Sequence, residues 1–411
     1  MQLRIILALT LVLSCGDDAA GPGSEAEVAL PDTAPAADSA SAPDAAGEEV
    51  EGELDAPAPM PLPMAFFYQD VAPTGNRVRI GATRDGLEID SIDRDAATWT
   101  VFGATQVFGD PVFSRLGNGR WAMTATASPD DPRGGFALLY YEDDCPMGVP
   151  APGASAIRAI RASNAAGCRP SEATGMAKAS QLFSAYGSTW MFISNSGAID
   201  LLRVSADDQG AGDLAAVCFL SGPLTSRDAL VVGAAAVVLP VRVVGPIGDG
   251  TTTGPLLLSD AATARRADGT WVLFVKGISE AVGCSGGGLC ELCNRGIYRA
   301  TSSDLVTWSS LERVAFRASV PDAVTLPDGR VWLYWQDFTP ACEAEDLHLA
   351  ARAPIVAAYE GDDFTLSPPA PIRFVDEPFE TDTRLHYPTN ANPVALPDAA
   401  AASAFETCLQ Q

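Results

Sequence analysis

The sequence predicts an all-β fold, a five-bladed β-propeller with circularly permuted closure of the last blade, and three observations support this prediction. A hairpin of two short apolar strands around a Gly-containing turn recurs along the chain. Strand segments that end in polar, Asp-containing turns follow the hairpins, and one such segment, Arg79–Gly86, precedes all of them. Repeated units of this size in an all-β chain cannot bury their faces singly, so they must stack.

The hairpin is clearest in SVPDAVTLPDGRVWLYW, Ser319–Trp335. Its strands are rich in β-branched and aromatic residues, and Asp328-Gly329 is typical of the turn between two antiparallel strands. The stretches GDPVFSRLGNGRWAMT from Gly109 and SDAATARRADGTWVLFV from Ser259 repeat the pattern. A weaker copy, KASQLFSAYGSTWMFI, starts at Lys178.

Each hairpin begins near a polar residue that we call its head. The heads lie 62 to 82 residues apart, which is enough for a four-stranded blade with loops. Since a propeller has about four to eight blades, five heads predict five. The N-terminal outer strands then complete the blade whose hairpin lies at the C-terminus. A six-bladed ring and a β-sandwich with coincidental Asp-Gly turns are the alternatives. The heads are Asp110, Lys178, Asp260, Asp322 and Asn392.

Residues 1–15 are predicted to be a lipoprotein signal peptide that ends at Cys15. The apolar run Ile5–Leu13 is shorter than the ~20 residues of a membrane span and suits a signal peptide. LVLSC resembles the lipobox of bacterial lipoproteins, in which the cysteine is diacylated. We therefore expect a bacterial cell-envelope protein anchored by lipid in the outer membrane, facing the periplasm or the surface. The alternative is an ordinary secretory signal.

Residues 16–63 are predicted to be a disordered tether, because they contain twelve acidic residues and no Lys or Arg. Residues 64–411 are then one β-propeller domain. The whole chain has a net charge of −26, so nucleic acid is not expected as a partner. We expect a monomer.

The chain has nine cysteines, and eight remain if Cys15 is acylated. An even number in an exported chain indicates disulfides. The stretch CSGGGLCELC could instead form a metal site or a redox pair, but it has no nearby histidine, and we expect no metal and no cofactor. The predicted pairs are Cys145–Cys168, Cys342–Cys408, and Cys218 with one of Cys284, Cys290 and Cys293.

Residues from about 64 to 411 resemble the five-bladed propellers of family 43 and family 32 glycoside hydrolases. The resemblance lies in GDPVFSRLGNGRW, SVPDAVTLPDGRVWLYW and ATSSDLVTW at Ala300–Trp308. In those enzymes acids at the start of the innermost strands act as base, acid and pKa modulator. The resemblance implies carbohydrate as the partner and a site at the mouth of a central funnel.

The catalytic candidates are Asp110, Asp260 and Asp322, which we expect to be hydrated, although Asp322 lies on a blade where the family does not need a catalytic residue. Cleavage of a glycosidic bond needs one protonated and one ionised carboxyl group, roughly 6.5–9.5 Å apart in an inverting enzyme. Crowded acids push their pKa values apart and permit that division. The alternative is that each Asp caps a turn or bonds to the adjacent blade.

The candidate positions agree with the catalytic residues of the family to different degrees. Asp110, followed by Pro111, matches the general base. The modulating Asp is replaced by Lys178 or Ser180, with Glu172 as a conceivable substitute acid. Asp260 stands where the family has a Glu general acid.

Substrate-binding candidates are His386, before the last inner strand, and Trp335. A structural histidine is the alternative for His386, and a place in the core between blades is the alternative for Trp335 and Trp271.

Two functions remain open from the sequence. The first is a glycosidase-like propeller that hydrolyses or binds glycans, and whether it is an enzyme is left undecided. The second is a non-catalytic propeller that acts as a binding or interaction module.

Overall fold

Strands dominate the part of the chain that the computed structural model describes. That part comprises residues 64–72, 75–95, 100–101, 104–105, 109–126, 137–146, 158–161, 181–195, 198–205, 236–239, 256–279, 288–350, 352–375 and 387–410. The predicted signal peptide with Cys15 and the tether lie outside the described residues. So do Glu172, Lys178, Ser180, His386, Cys168, Cys218 and Cys284.

The strands in chain order are β1 (Met64–Ala72), β2 (Gly75–Thr83), β3 (Glu88–Asp95), β4 (Thr100–Val101), β5 (Ala104–Thr105), β6 (Gly109–Arg115), β7 (Trp121–Thr126), β8 (Ala137–Asp143), β9 (Arg158–Arg161), β10 (Phe183–Ala185), β11 (Ser188–Asn195), β12 (Ala198–Ser205), β13 (Ala236–Leu239), β14 (Leu256–Arg265), β15 (Trp271–Ser279), β16 (Arg295–Ser302), β17 (Glu312–Phe316), β18 (Ala318–Thr325), β19 (Val331–Asp337), β20 (Ile355–Tyr359), β21 (Ala370–Pro371), β22 (Arg373–Val375) and β23 (Tyr387–Ala395). The helices are α1 (Leu289–Cys293), α2 (Thr339–Ala344), α3 (Leu347–Ala350) and α4 (Ala399–Gln410). Within the described ranges, none of these helices has the length and apolar character needed to cross a membrane.

The described strands form five larger sheets and a small pair, β4-β5. Four sheets follow the chain, in the orders β6-β7-β8-β9, β10-β11-β12-β13, β14-β15-β16-β17 and β18-β19-β20-β21. The fifth has the order β22-β3-β2-β1-β23 and so combines strands from the beginning and the end of the described chain. In it β1 pairs antiparallel with β23, and β22 pairs parallel with β3. The predicted all-β class is confirmed.

One edge strand of each sheet borders a shared cavity, and we call these five the central strands: β6, β10, β14, β18 and β23. The cavity has a volume of about 280 Å³, and residues of all five central strands line it. Contacts run from β14 to β18, from β18 to β23 and from β23 to β6. The central strands therefore gather around one cavity.

Neighbouring sheets pack through shared apolar cores, which is how each sheet buries its faces. The fourth and fifth sheets share a core that includes Phe66, Trp332 and Tyr334. Between the fifth and first sheets, the rings of Phe67 and Phe113 stack with centroids 4.0 Å apart. Each fully buried side chain of this size contributes roughly 1.5–3 kcal/mol through removal from water. No single sheet could bury these residues alone.

The hairpins next to the cavity have the turn geometry that the Asn-Gly and Asp-Gly pairs predict. In the fourth sheet the N–H of Gly329 donates to the carbonyl of Leu326 at 2.8 Å, and the N–H of Arg330 donates to Asp328 Oδ1 at 3.0 Å. The same bonds occur around Gly119 and around Gly269. All three glycines have φ between +83° and +87°, a backbone conformation that residues with a Cβ atom rarely adopt.

The polar turns that end outer strands also share one geometry. Asp304 Oδ1 accepts the N–H groups of Val306 and Thr307 at 2.8 and 2.7 Å. Asp85 Oδ1 accepts the N–H groups of Leu87 and Glu88 at 2.9 and 2.8 Å in the fifth sheet. These aspartates are turn caps, which agrees with their position in the repeat.

A buried ionic network joins the third and fourth sheets. Glu360 is only 3% exposed, and its carboxylate accepts two bonds from Arg266, at 2.7 and 2.8 Å, and one from Arg299 at 2.9 Å. Arg299 also pairs with Glu312 at 2.7 Å. The paired geometry compensates the cost of burying these charges, so loss of one partner would leave an unmatched buried charge.

The predicted pairing of Cys145 with Cys168 and of Cys342 with Cys408 is wrong, because Cys145 is bonded to Cys408. Helix α4 follows β23 and packs on the first sheet, where the ring of Phe405 lies 5.6 Å from that of Trp121. This docking brings Cys408 to the end of β8, next to Cys145.

The second disulfide joins Cys293 to Cys342. Leu289 and Leu292 of α1 pack on a small core that contains Phe338 and Ala341, so α1 and α2 lie together. Cys290 is also disulfide-bonded, and its partner lies outside the described residues. These bonds use the thiols of Cys290 and Cys293, which contradicts the metal-site alternative. The described residues contain no group of three or more potential metal ligands.

The turn glycines give a direct stability test. A Cβ on Gly329 would collide with Ala267 Cβ and lie 3.0 Å from its Cα, whereas a Cβ on Gly187, at φ +68°, would meet nothing within 4 Å. Gly187→Ala should therefore lose only the ~1–2 kcal/mol of left-handed backbone strain. Gly329→Ala should lose about 1–3 kcal/mol more through overpacking. Urea unfolding of the oxidised proteins measures both, and equal losses would contradict the packing at Gly329.

Candidate functional site

Asp322 lies on β18, and its carboxylate is enclosed by hydrogen-bond donors. Oδ2 accepts the side-chain amide of Asn392 at 2.8 Å, and Oδ1 accepts the N–H of Ala323 at 2.8 Å and Gln181 Nε2 at 3.2 Å. The residue is only 8% exposed. The expectation that this carboxylate is hydrated is therefore wrong.

Asn392 and Gln181 extend these bonds to neighbouring central strands. Asn392 Oδ1 accepts the N–H of Phe113 on β6 at 2.6 Å, and this bond determines which end of the amide faces Asp322. Gln181, just before β10, also donates to the carbonyl of Pro393 at 2.6 Å. Together these residues form the central polar network: Asp322, Asn392, Gln181 and the backbone groups that they bind. The network connects β6, β18 and β23 with the approach to β10.

Burial controls the ionisation of Asp322. It raises the pKa of the carboxyl group to about 8, although the hydrogen bonds from Asn392 and from the N–H of Ala323 favour the ionised form and lower the pKa. A buried carboxyl group with a raised pKa retains its proton where ordinary aspartates have lost theirs. Asp322 is therefore a neutral or partly protonated group near pH 7.

Asp260 lies at a β-bulge in β14 and is also buried. The strand register shifts between Ser259 and Ala261, and Asp260 has φ +47°. Its Oδ2 forms an ion pair with Lys276 of β15 and accepts the hydroxyl of Ser259 at 3.2 Å. Asp260 is 4% exposed and the Lys276 side chain 15%. The expected hydration is wrong here too, because the lysine provides the counter-charge.

The strand register separates Asp322 from the other two predicted catalytic residues. Asp110 and Asp260 lie nine residues before the turn glycine, whereas Asp322 lies seven before it. A β-bulge interrupts all three hairpins at the earlier position, which Val320 holds in β18. Asp110 lies in that bulge on β6, and only its backbone is among the described features. Asp110 and Asp322 were both predicted as heads of their hairpins, and the register shows that they hold different positions.

The two tryptophans considered for sugar binding are both buried. Trp335 packs in the core between the third and fourth sheets with Phe274 and Leu333. Trp271 borders the central cavity, and its ring lies 5.0 Å from that of Phe183. The alternative given for Trp335, a place in the core between sheets, agrees with this packing.

Three residues of this region were not predicted to matter: Gln181, Ser114 and Lys276. Ser114 Oγ accepts the N–H of Leu182 at 2.7 Å, so it joins β6 to the segment before β10. One of the three carried a signal in the sequence, because Lys276 is one of only two lysines in the chain. Gln181 and Ser114 stand in ordinary strand patterns and carry none.

No protein-family model and no curated protein matches the chain.

Solved structures with a similar arrangement exist at low identity. An α-L-arabinanase from Penicillium chrysogenum is 11% identical, with a TM-score of 0.38, over 64% of this chain and 66% of the arabinanase. An endo-1,4-β-xylanase from Bacteroides thetaiotaomicron is 10% identical, with a TM-score of 0.43, over 77% and 98% of the two chains. A protein of unknown function from Dyadobacter fermentans is 15% identical, with a TM-score of 0.42, over 74% and 73%. Likenesses at this level assign neither a family nor an activity.

The raised pKa of Asp322 predicts how stability depends on pH. An ordinary aspartate has a pKa of about 3.9 in the unfolded chain, so between about pH 4 and pH 8 the folded protein binds the additional proton. The free energy of unfolding should therefore fall as the pH rises through this window, by up to about 1.4 kcal/mol per pH unit from this group. Urea unfolding at pH 5, 6, 7 and 8 measures the slope.

Asp322→Asn should remove that contribution to the slope, and it should lower stability at pH 5 because one amide N–H group must then face another donor. Asp304→Asn is the matched control. Burial acts to raise the pKa of Asp304, but hydrogen bonds from Thr307 and Val306 outweigh it and lower the pKa. Asp304 is thus ionised in both states between pH 5 and pH 8, where unfolding is measured, and its variant should keep the wild-type slope. Identical slopes in all three proteins would refute the assignment to Asp322.

Proposed function

We propose that the five sheets are the blades of a five-bladed β-propeller, closed by the pairing of β23 with β1. The support is a series of contacts that connects each central strand to the next around the cavity. These contacts are Asn392–Asp322 between β23 and β18, Thr325–Arg265 between β18 and β14, Trp271–Phe183 between the third sheet and β10, Leu182–Ser114 leading from β10 to β6, and Phe113–Asn392 between β6 and β23.

On this propeller we propose a glycan-binding function without cleavage. The resemblance of the hairpin motifs to glycosidase propellers supports the substrate class. One observation supports a function without cleavage: the carboxyl groups of the two described candidate acids are both bonded to protein groups. Asp260 is paired with Lys276, and Asp322 is enclosed by three N–H donors. A general acid or base must exchange a proton with its substrate, and both carboxyl groups are buried, with only 4% and 8% of Asp260 and Asp322 exposed.

Glycoside hydrolysis is the second candidate, and one observation favours it. The pKa of Asp322 is raised to about 8, and a general acid needs such a raised pKa to hold a proton at neutral pH. Asp110 would then be the general base, as the resemblance implies. This candidate requires a rearrangement that exposes Asp322.

We also propose that the protein is exported and held in the bacterial cell envelope by a lipid on Cys15. The apolar N-terminal run and the lipobox resemblance support the anchor. The disulfides Cys145–Cys408 and Cys293–Cys342 support an oxidising compartment, since such bonds are rare in the cytosol.

Affinity electrophoresis against a panel of neutral and acidic polysaccharides, with reducing-end assays on the same panel, tests the function. We expect retardation by at least one polysaccharide and no release of sugar from it. Failure to bind any member of the panel would end the glycan proposal.

Hydrolysis that falls by orders of magnitude in Asp110→Asn, with an unchanged melting temperature, would establish the second candidate instead. Asp304→Asn serves as the control, because Asp304 caps a turn on an outer strand and should leave any turnover unchanged.

Detergent phase partition tests the anchor. The full-length protein expressed in a bacterium should enter the detergent phase, and Cys15→Ser should move it to the aqueous phase, because a lipid chain contributes about 0.8 kcal/mol per buried CH₂ group. A wild-type protein that is already aqueous, with its N-terminus elsewhere, would refute the anchor.

A further inference from the structure

The hairpin end of the central cavity carries positive charge that no acidic residue of the described lining opposes. The turns of the central strands lie at this end, opposite the strand starts where the candidate acids stand. Among the described residues that line the cavity, Arg115 and Arg265 are charged, and none is acidic. This is unusual in a chain with 52 acidic and 26 basic residues.

The two arginines occupy equivalent positions in two sheets. Arg115 ends β6 opposite Trp121, and Arg265 ends β14 opposite Trp271. Each guanidinium group lies along its own hairpin, with Nη2 3.4 Å from the place of a Cβ on the turn glycine. The two sheets thus present the same group at the same end of the cavity.

Neither guanidinium group has an acidic partner within the described part of the chain. Arg265 Nε donates to the carbonyl of Gly269 at 3.2 Å, and its Cζ lies 5.2 Å from the centre of the Trp271 ring. By contrast, several other arginines at the hairpins and outer strands pair with carboxylates: Arg120, Arg266, Arg299 and Arg330. The Nη groups of Arg115 and Arg265 therefore retain donor capacity for a ligand.

Two positive charges with no acid between them favour an anion, and the planar guanidinium fork matches the paired oxygens of a carboxylate, sulfate or phosphate group. The hydroxyl of Thr325, which holds the equivalent position on β18, also borders the cavity and accepts the N–H of Arg265 at 2.9 Å. Its hydroxyl proton is available to a further acceptor. The lining thus provides donors from three of the central strands.

The cavity also limits the size and nature of the ligand. Its volume of about 280 Å³ is below the roughly 300–1,000 Å³ of most ligand pockets, so a monosaccharide-sized molecule suits it. Trp271 and Phe183 supply an apolar wall on one side. An apolar wall beside a few polar groups is the usual composition of a small-molecule site.

We propose that the hairpin end of the central cavity binds a small oxyanion-bearing ligand, with Arg115 and Arg265 holding the anionic group and Trp271 beside them. This site goes beyond the proposed glycan function, because neither arginine is one of the candidate acids, although Gln181 and Ala323, which donate to Asp322, also line the cavity.

Isothermal titration of the folded protein with glucuronate, inorganic sulfate and inorganic phosphate, and with glucose as the neutral comparison, tests the site. We expect saturable binding of at least one anion and none of glucose, and binding should weaken as the salt concentration rises. Affinity for glucuronate identifies a sugar acid, and affinity for sulfate or phosphate alone identifies an inorganic anion. Both results support the site, and no binding of any anion at millimolar concentration overturns it.

Matched variants locate the binding. Arg115→Gln and Arg265→Gln should each lower the affinity at least tenfold. Arg330→Gln makes the same change of charge on a neighbouring hairpin, where Arg330 pairs with Asp328 and does not line this cavity, so it should leave the affinity unchanged. Equal weakening by all three variants, with melting temperatures confirming folding, would show a general charge effect and refute the site.

Discussion

Five edge strands that meet around one cavity leave backbone N–H groups that no neighbouring strand can pair. A buried N–H without an acceptor costs free energy comparable to a lost hydrogen bond, so this is the constraint that the centre of the molecule must satisfy. Side chains from the adjacent sheet supply the acceptors. Asn392 accepts the N–H of Phe113, Ser114 accepts that of Leu182, and Thr325 accepts that of Arg265.

The same constraint explains why an aspartate is buried beside β23. Asn392 can accept from Phe113 only if its amide NH₂ group faces the other way, toward β18. That NH₂ group then needs an acceptor, and Asp322 provides it. The carboxyl group is thus part of the connection between central strands, and its raised pKa follows from that position. Acids on the central strands can therefore be structural, even where their spacing resembles that of catalytic groups.

Much of the fold could be predicted because it depends on local chemistry. The Asn-Gly and Asp-Gly pairs determine the turns, and the early strand Arg79–Gly86 indicates a sheet completed from both ends of the chain. The disulfides could not be predicted, because they depend on where α4 and α1 dock, and docking is a tertiary property.

The candidate site was predicted only in part. The burial of Asp260 depends on Lys276, which lies on the next strand and is distant from any head. The different place of Asp322 was visible in the sequence, since it stands two residues nearer to its turn than the other acids. Counting residues back from each turn glycine reveals this difference. Aligning the hairpins by their acids hides it. The bonding of Asn392 was not visible, because the partners of its side chain, Asp322 and the N–H of Phe113, come from two other sheets.

The pairing of β1 with β23 affects the order in which the molecule can be completed. A ribosome makes the chain from the N-terminus, so β1 exists long before its partner. At roughly 5–20 residues per second, the interval before β23 is made is about 15–60 s. During that time β1 has an unpaired edge beside the apolar side chains of Phe66 and Tyr68, which invites association between nascent chains. A truncation that removes β23 would make this exposure permanent.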